Sequence, residues 1–202
     1  MITEIKKDFI SKMTPEQFSA RYKSSEEYLI EFIPDLFSYK TVLYIGACET
    51  RHLHLEKFFL SGYSIDVLEA WYDNCQWLQK FNKEKNWIRK IIWNDVRELE
   101  TGDVLDRNYD IVFFWHGLEH IFLEQQENTI KWLKYYTDKL LVLGCPYGNF
   151  FQGEVNGNPY EKHLCSIYSK DLENLGFDII AIGYVDDPWG YLIGFWKRDE
   201  NK

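Results

Sequence analysis

The sequence lacks the features that mark several classes of protein. Its four cysteines form no CxxC pair, and its first ten residues, MITEIKKDFI, contain no apolar segment of the kind found in secretory signals. We therefore expect the reducing cytoplasm as its location. The longest apolar run, Ile111 to Trp115, has the length of a strand, whereas a membrane-spanning helix needs about 20 apolar residues. A membrane is thus not expected as a partner.

Basic side chains are scarce compared with acidic ones. There are 23 Lys and Arg residues against 32 Asp and Glu residues, and the formal net charge is -9. Nonspecific affinity for nucleic acid depends on Lys and Arg displacing counterions, so nucleic acid is not an expected partner. Aromatic residues, by contrast, make up 18% of the chain, more than a core of this size requires. Some of these rings are expected to line a cleft for a small-molecule substrate.

A chain of 202 residues can bury a full hydrophobic core, and we predict that residues 1–202 form one domain. Residues Met13 to Phe37 have helical periodicity, with Thr14 as a potential N-cap and Pro15 at the first helical position. Residues 1–40 are therefore predicted to be an N-terminal helical extension. The sequence does not indicate an oligomeric state.

Short runs of β-branched and aromatic residues alternate with helical stretches through the middle of the chain. The predicted strands are Thr41–Ile45, Ser64–Leu68, Ile88–Ile92, Ile111–Phe114 and Leu140–Leu143. The predicted helices between them are His52–Phe59, Asp73–Phe81, Val96–Leu105 and Glu124–Lys139. This alternation predicts an α/β fold with a parallel sheet.

The last part of the chain follows a different pattern. A helix is predicted over Ser169–Leu175, closed by Gly176, and two strands follow at Phe177–Tyr184 and Tyr191–Trp196. Because the sequence offers no helix between these strands, they should be antiparallel. We therefore predict a mostly parallel sheet of seven strands, with helices on both faces and an antiparallel last strand.

The ends of the parallel strands carry the groups most suited to binding. In an open parallel sheet the ligand lies beyond the carboxyl ends of the strands, where the strand order reverses. The residues at four of these ends are Gly46–Cys48, Glu69, Asn94–Val96 and His116–His120. Glu69 follows Gly46 by 23 positions, where an acidic residue can accept hydrogen bonds from both hydroxyls of a ribose.

The motifs VLYIGACETRHL, IDVLEAW, NDVREL, YDIVFFWHGLEHI and LLVLGCPYG, in this order and spacing, resemble the class I S-adenosylmethionine-dependent methyltransferases. The resemblance covers about residues 41–198 and includes the terminal antiparallel pair after a glycine-closed helix. It implies a Rossmann-like fold, S-adenosylmethionine as the cofactor and methyl transfer as the activity.

The resemblance also implies a role for each strand end. The implied contacts are the methionine part of the cofactor for Gly46, Ala47 and Cys48, the ribose for Glu69, the adenine faces for Ala70 and Trp71, the adenine edge for Asp95 and Val96, and the methyl end for His116 and Gly117. The family usually has glycine where this chain has Cys48 and Thr50. Because these side chains leave the cofactor less room to approach the backbone, we expect it to bind more weakly than it would to a glycine-rich loop.

The segment His116–His120 has other interpretations. It fits the H-x-x-E-H signature of zinc peptidases, although it follows an apolar strand and contains a glycine. It also resembles some quinone-pathway O-methyltransferases, which implies that Glu119 and His120 hold a divalent ion. A helix N-terminus that favours a carboxylate explains Glu119 equally well. We predict a site without a metal.

Residues 144–166, GCPYGNFFQGEVNGNPYEKHLCS, are predicted to form a substrate loop at the same edge of the sheet. The loop mixes aromatic rings with Asn, Glu and His, which favours a small, polar, hydroxylated substrate such as a sugar. It also resembles methyltransferases encoded with surface-polysaccharide enzymes, which implies a precursor of such a polysaccharide. A hydroxyl nucleophile needs a base, and His163 or His120 is the candidate catalytic residue. A carboxylate or thiolate acceptor would need none.

Two other functions remain open from the sequence. An NAD-dependent oxidoreductase would require G-x-G-x-x-G, and the segment Gly46–Arg51 lacks two of these three glycines. The same missing glycines are compatible with a non-catalytic protein on a methyltransferase scaffold. Binding of S-adenosylmethionine compared with binding of NAD distinguishes these alternatives.

Overall fold

A single twisted sheet runs through the molecule. The computed structural model describes residues 2–5, 38–48, 52–182, 184–186 and 190–199, with the backbone alone for residues 2–5, 52, 53 and 101. The strands are β1 (Ile2–Ile5), β2 (Thr41–Ile45), β3 (Ser64–Glu69), β4 (Ile88–Trp93), β5 (Tyr109–Trp115), β6 (Thr137–Pro146), β7 (Asp178–Ile182) and β8 (Tyr191–Lys197). Their order in the sheet is β1-β7-β8-β6-β5-β2-β3-β4.

The sheet is parallel except around β8. Strand β8 runs antiparallel to both of its neighbours, β6 and β7, whereas every other pair in the sheet is parallel. The predicted α/β fold, with its seven strands and its antiparallel last strand, is therefore confirmed. Strand β1 adds an eighth strand beside β7 that the sequence did not predict. The predicted helix from Met13 to Phe37 lies outside the described residues.

Helices pack on both faces of the sheet. They are α1 (His52–Leu60), α2 (Tyr72–Lys85), α3 (Leu123–Tyr135) and α4 (Ser169–Asn174), together with 3-10 turns at Val96–Thr101, Leu118–His120 and Pro159–Glu161. Alternate residues of β2 enter separate cores: Leu43 packs in the core that includes α3 and α4, and Tyr44 in the core that includes α1 and α2. This two-faced burial explains why the parallel strands are almost continuously apolar.

Two predicted helices end differently in the structure. Helix α3 ends at Tyr135, so residues 137–139, predicted as helix, instead begin β6. Arg198 donates to the carbonyls of Lys134, Tyr135 and Thr137, and it thereby satisfies groups that a helix end leaves without partners. Sequence periodicity does not reveal a cap that comes from a residue so far along the chain.

The helix predicted over Val96–Leu105 is also shorter than expected. It is a 3-10 helix from Val96 to Thr101, which begins at an Asp95 cap and ends at Gly102 with φ +76. The loop predicted at residues 144–166 begins three residues later than expected, because β6 continues to Pro146. Within the described residues, no helix combines the length and the apolar character needed to cross a membrane.

Candidate functional site

A cleft opens at the carboxyl edge of the sheet beside β2, which lies between β5 and β3 where the order of the strands reverses. It is the topological switch point at which ligands of open α/β sheets bind. The cleft contains about 610 Å³ of space between atoms, part of which is open solvent. Its lining residues come from the ends of β2 to β5 and from the loop after β6: Ile45, Gly46, Leu68, Glu69, Ala70, Asn94, Asp95, Val96, Arg97, Phe114, His116, Gly117, His120, Ile121, Asn158, Tyr160 and Glu161.

Gly46 ends β2 in a conformation that favours glycine. Its φ is +73, and its N–H donates to the Leu68 carbonyl at 2.9 Å. A Cβ atom built at Gly46 would meet no atom within 4 Å, so the space beside this backbone is open. The glycine is therefore required by its dihedral angle, and it leaves room for a ligand to approach the main chain.

Glu69 ends β3 with a carboxylate that is almost fully buried. Its side chain is 4% exposed, and its Oε1 accepts the N–H of Trp71 at 2.8 Å. Burial raises the pKa of Glu69 from its ordinary value of 4.5 to about 7. Holding such a group at a cleft costs stability, and a strongly perturbed acid in a cleft is typical of a binding or catalytic site.

Asp95 follows β4 and has its carboxylate occupied by Arg97. Its Oδ1 accepts both the backbone N–H and the Nε–H of Arg97 at 2.9 Å, and its Oδ2 accepts from Nη2. The N–H of Asp95 itself donates to Oδ1 of Asn94 at 2.7 Å. Arg97 also lines the cleft, and sequence reasoning missed it. The sequence does place Arg97 two residues after Asp95, within reach of its carboxylate, but it does not show that the two side chains pair.

The segment after β5 turns sharply into the 3-10 helix. His116 has φ +51, and its N–H donates to the Gly144 carbonyl at 2.7 Å. A Cβ atom at Gly117 would lie 1.7 Å from the ring of Phe114, so packing, and not ligand approach, explains this glycine. His116 precedes a helix of only three residues, Leu118–His120. The zinc-peptidase interpretation is therefore wrong, because it needs two histidines one turn apart on a stable helix.

Glu119 lies beneath this turn, with only 2% of its side chain exposed. Its Oε1 is 3.1 Å from Nδ1 of His116 and 3.9 Å from Nε2 of His120. Burial acts to raise the pKa of the Glu119 carboxyl, but the hydrogen bond and charge of His116, with the charge of His120, hold it below its ordinary value. The carboxylate is thus ionised in an enclosed environment.

His120 and His163, the two candidate bases, lie against each other. Their ring centroids are 4.8 Å apart. Nδ1 of His120 is 3.1 Å from the Lys162 carbonyl, and Nδ1 of His163 is 2.6 Å from the Phe150 carbonyl. A carbonyl only accepts hydrogen bonds, so each Nδ1 carries a proton, and in the neutral form of each ring the lone pair lies on Nε2. Burial lowers the pKa of His163, which favours this neutral form.

Hydrogen bonds tie the loop after β6, which was predicted to bind substrate, to the turn at Glu119 and to itself. The N–H of Leu164 donates to the Glu119 carbonyl at 2.8 Å, and the N–H of His163 donates to the Gln152 carbonyl at 3.0 Å. Three residues of the loop, Asn158, Tyr160 and Glu161, line the cleft. The loop therefore lies at the edge of the sheet where the sequence placed it, and these three residues are among the aromatic, Asn and Glu side chains that the sequence offered for contact with a ligand.

Most of the predicted site residues meet in the cleft. Those that line it are Gly46, Glu69, Ala70, Asp95, Val96, His116, Gly117 and His120. Ala47 is fully buried in the core, Trp71 lies at the start of α2, and neither they nor Cys48 are among the lining residues. Their contacts with the cofactor stay predictions. Thr50 lies outside the described residues.

Comparison with known proteins finds likeness in structure alone. No protein-family model matches the chain, and no curated protein matches it. TehB from Haemophilus influenzae aligns with a TM-score of 0.62 and 12% identity, over 91% of this chain and 66% of its own. The chain thus spans slightly less than two thirds of TehB.

Two further neighbours are methyltransferases by name. The magnesium protoporphyrin IX methyltransferase ChlM from Synechocystis, with bound SAH, aligns with a TM-score of 0.62 and 15% identity, over 94% of this chain and 90% of its own. The N-methyltransferase NodS from Bradyrhizobium japonicum aligns with a TM-score of 0.64 and 12% identity, over 93% of this chain and 100% of its own. The chain therefore has the fold of the S-adenosylmethionine-dependent methyltransferases.

Proposed function

We propose that the protein is an S-adenosylmethionine-dependent methyltransferase whose cofactor occupies the cleft at the ends of β2 to β5. The observation that carries this proposal is the buried carboxylate of Glu69 at the end of β3, beside the open backbone of Gly46. A carboxylate in that place accepts hydrogen bonds from the two hydroxyls of a ribose. The fold shared with methyltransferases supports the same assignment.

The residues around the cleft suit the other parts of this cofactor. Val96, the first residue of the 3-10 helix after β4, offers an apolar wall for the adenine, and Asn94 and Asp95 precede it in the lining of the cleft. Because Arg97 occupies both oxygens of Asp95, recognition of the base relies on the main chain here and on Arg97. When bound, S-adenosylmethionine supplies a methyl carbon on a cationic sulfur, and the carbon–sulfur electron pair returns to sulfur as the acceptor's lone pair forms the new bond.

We propose a small, polar, hydroxylated acceptor, such as a sugar or a precursor of a surface polysaccharide. Asn158, Tyr160 and Glu161 of the substrate loop line the cleft, and they offer an amide, a phenol and a carboxylate to such a molecule. The net charge of -9 makes nucleic acid an unfavourable acceptor.

An attacking hydroxyl must lose its proton, and Nε2 of His120 is the proposed base. His120 lines the cleft, and its Nδ1 faces the Lys162 carbonyl, so the lone pair on Nε2 is available to take the proton. The acceptor oxygen then bonds to the methyl carbon, and the proton remains on the imidazole. His163 lies behind His120 and is the second candidate. Otherwise the chain mainly supplies proximity and alignment.

Calorimetric titration with S-adenosylmethionine and, separately, with NAD tests the proposal. We expect saturable binding of S-adenosylmethionine to the full chain and none of NAD. Glu69→Ala should remove charge-assisted hydrogen bonds worth about 1.5 to 3 kcal/mol each, which lowers affinity roughly tenfold or more per bond. Glu84→Ala, a matched change on the exposed face of α2, should leave affinity unchanged.

The alternatives give different results in the same titrations. Binding of NAD in place of S-adenosylmethionine would indicate an oxidoreductase. Binding of neither ligand would indicate a scaffold without this activity. Unchanged affinity in a folded Glu69→Ala variant would place the cofactor elsewhere.

A further inference from the structure

We propose that Glu119, His120 and His163 together bind a divalent transition-metal ion beside the cleft, which His120 lines. One carboxylate oxygen of Glu119 and one ring nitrogen from each histidine lie within 4.8 Å of one another. Ligands about 2.1 Å from a metal lie about 3 to 4 Å apart, so a contraction of about 1 Å completes the site. Side chains at a turn and in a loop can supply that movement.

The carboxylate of Glu119 has an unsatisfied atom. Its Oε2 is buried and has no hydrogen-bond partner among the residues that the structure describes, and the side chain is only 2% exposed. A buried carboxylate oxygen without a partner is costly in a protein interior, and such a group calls for a water or an ion beside it. A cation between Glu119 and the two histidines removes that cost.

The two histidines are already oriented as metal ligands. Nδ1 of His120 donates to the Lys162 carbonyl and Nδ1 of His163 to the Phe150 carbonyl, which orients both rings and leaves Nε2 as the nitrogen that can bind a metal ion. Metal-binding histidines usually donate their other N–H to a carbonyl or a carboxylate in this way. Nε2 of His120 is 3.9 Å from Oε1 of Glu119 and faces it.

The backbone holds the third ligand in place although it comes from a distant segment. The N–H groups of Leu164 and Cys165 both donate to the Glu119 carbonyl, at 2.8 Å and 3.4 Å. The residue before them, His163, is therefore fixed beside Glu119 and His120. From the sequence we predicted a site without a metal; His163 lies 43 positions after His120, and only the fold brings the two together.

The donor set indicates which ions fit. Two imidazoles and one carboxylate suit Zn²⁺, Mn²⁺, Fe²⁺ or Co²⁺ and leave coordination positions open, whereas Mg²⁺ and Ca²⁺ prefer oxygen ligands alone. His120 also lines the cleft, so the open positions face the space in which an acceptor would lie.

The role of the ion rests on the proposed function, methyl transfer to a hydroxyl, and concerns how that hydroxyl is activated. The ion would lower the pKa of an acceptor hydroxyl, whose proton would pass to water; the deprotonated oxygen would bond to the methyl carbon as the carbon–sulfur bond breaks and its electron pair returns to sulfur. The Nε2 atoms then serve as ligands, and no imidazole is needed as a base. Acceptors with two adjacent oxygens, such as vicinal diols, suit an ion with two open positions.

Titration of the chelator-treated full chain with Zn²⁺, Mn²⁺ and Co²⁺ tests the site without any methyl acceptor. We expect one ion to bind per chain, and Co²⁺ to give visible absorption bands from nitrogen and oxygen coordination. His163→Ala and Glu119→Gln should each lower the affinity by about tenfold to 100-fold or more and weaken those bands. Glu84→Gln, the same change on an exposed face, should alter neither.

The outcomes separate this inference from the proposed function. The absence of saturable binding of all three ions, or binding as tight in folded His163→Ala and Glu119→Gln as in the unaltered chain, overturns the metal site. Binding of S-adenosylmethionine is measured on the same samples. Loss of cofactor binding with retained metal binding would refute the proposed function and leave the metal site established.

Discussion

The buried carboxylate of Glu69 should make the ligand-free protein less stable as the pH rises. Its pKa is about 7 in the folded chain, against an ordinary value of 4.5. Between these two values the folded state holds a proton that the unfolded state has lost. The free energy of unfolding therefore falls as the pH rises from about 4.5 to about 7, and it stays at the lower level above that pH.

The magnitude follows from the difference between the two pKa values. One pKa unit corresponds to about 1.4 kcal/mol, so ionised Glu69 costs about 3 kcal/mol of unfolding free energy at pH 8. Glu69→Gln keeps the shape of the side chain and its acceptor for the Trp71 N–H, but it cannot ionise. We expect this variant to be more stable than the unaltered chain by up to about 3 kcal/mol at pH 8. The gain should shrink towards pH 4.5.

Urea denaturation followed by tryptophan fluorescence, at several pH values from 4.5 to 8 and without ligand, measures this difference. The control is Glu84→Gln, which changes an exposed carboxylate on α2 and should give a small difference at every pH. A Glu69→Gln chain that is no more stable than the unaltered chain at pH 8 would refute the reasoning. So would a gain that does not depend on pH.

Three further results are expected at the same site. Affinity for S-adenosylmethionine should rise by up to about tenfold per pH unit between pH 5 and 7 and then level off, whereas Glu69→Gln should bind weakly at every pH, as calorimetry can measure. Gly117→Ala should destabilise the fold because its Cβ overlaps the Phe114 ring, and thermal melts should show partial recovery when Phe114→Leu is added. Cys48→Gly combined with Thr50→Gly should bind the cofactor more tightly in a folded chain, and weaker binding would mean that those side chains make contacts.

The strand ends could be predicted because they follow from local patterns. An apolar run that stops at Gly46 or at Glu69 identifies both a strand and its carboxyl end, and the parallel topology then brings these ends together. The same argument placed His116 and His120 in the cleft. The fold and most of the cofactor-site candidates therefore needed no knowledge of contacts between distant residues.

The rest depends on contacts between residues far apart in the chain. Arg198 ends a helix more than 60 positions earlier, and so β6 begins before its predicted start. His163 meets His120 through a loop whose path is set by backbone hydrogen bonds to Glu119. The occupation of Asp95 by Arg97 depends on a rotamer that composition and spacing do not determine.

The pairing of Arg97 with Asp95 also determines the charge that a ligand meets. Among the described residues that line the cleft, the carboxylates are Glu69, Asp95 and Glu161, and the guanidinium of Arg97 is paired with Asp95. The remaining field is negative when Glu69 is ionised, which attracts a sulfonium and repels the pyrophosphate of a dinucleotide. The demethylated product has lost the sulfonium charge, so we expect it to bind less tightly than the cofactor in a displacement titration. Methyl transfer would then lower the affinity for the bound nucleoside and so favour release of the demethylated product.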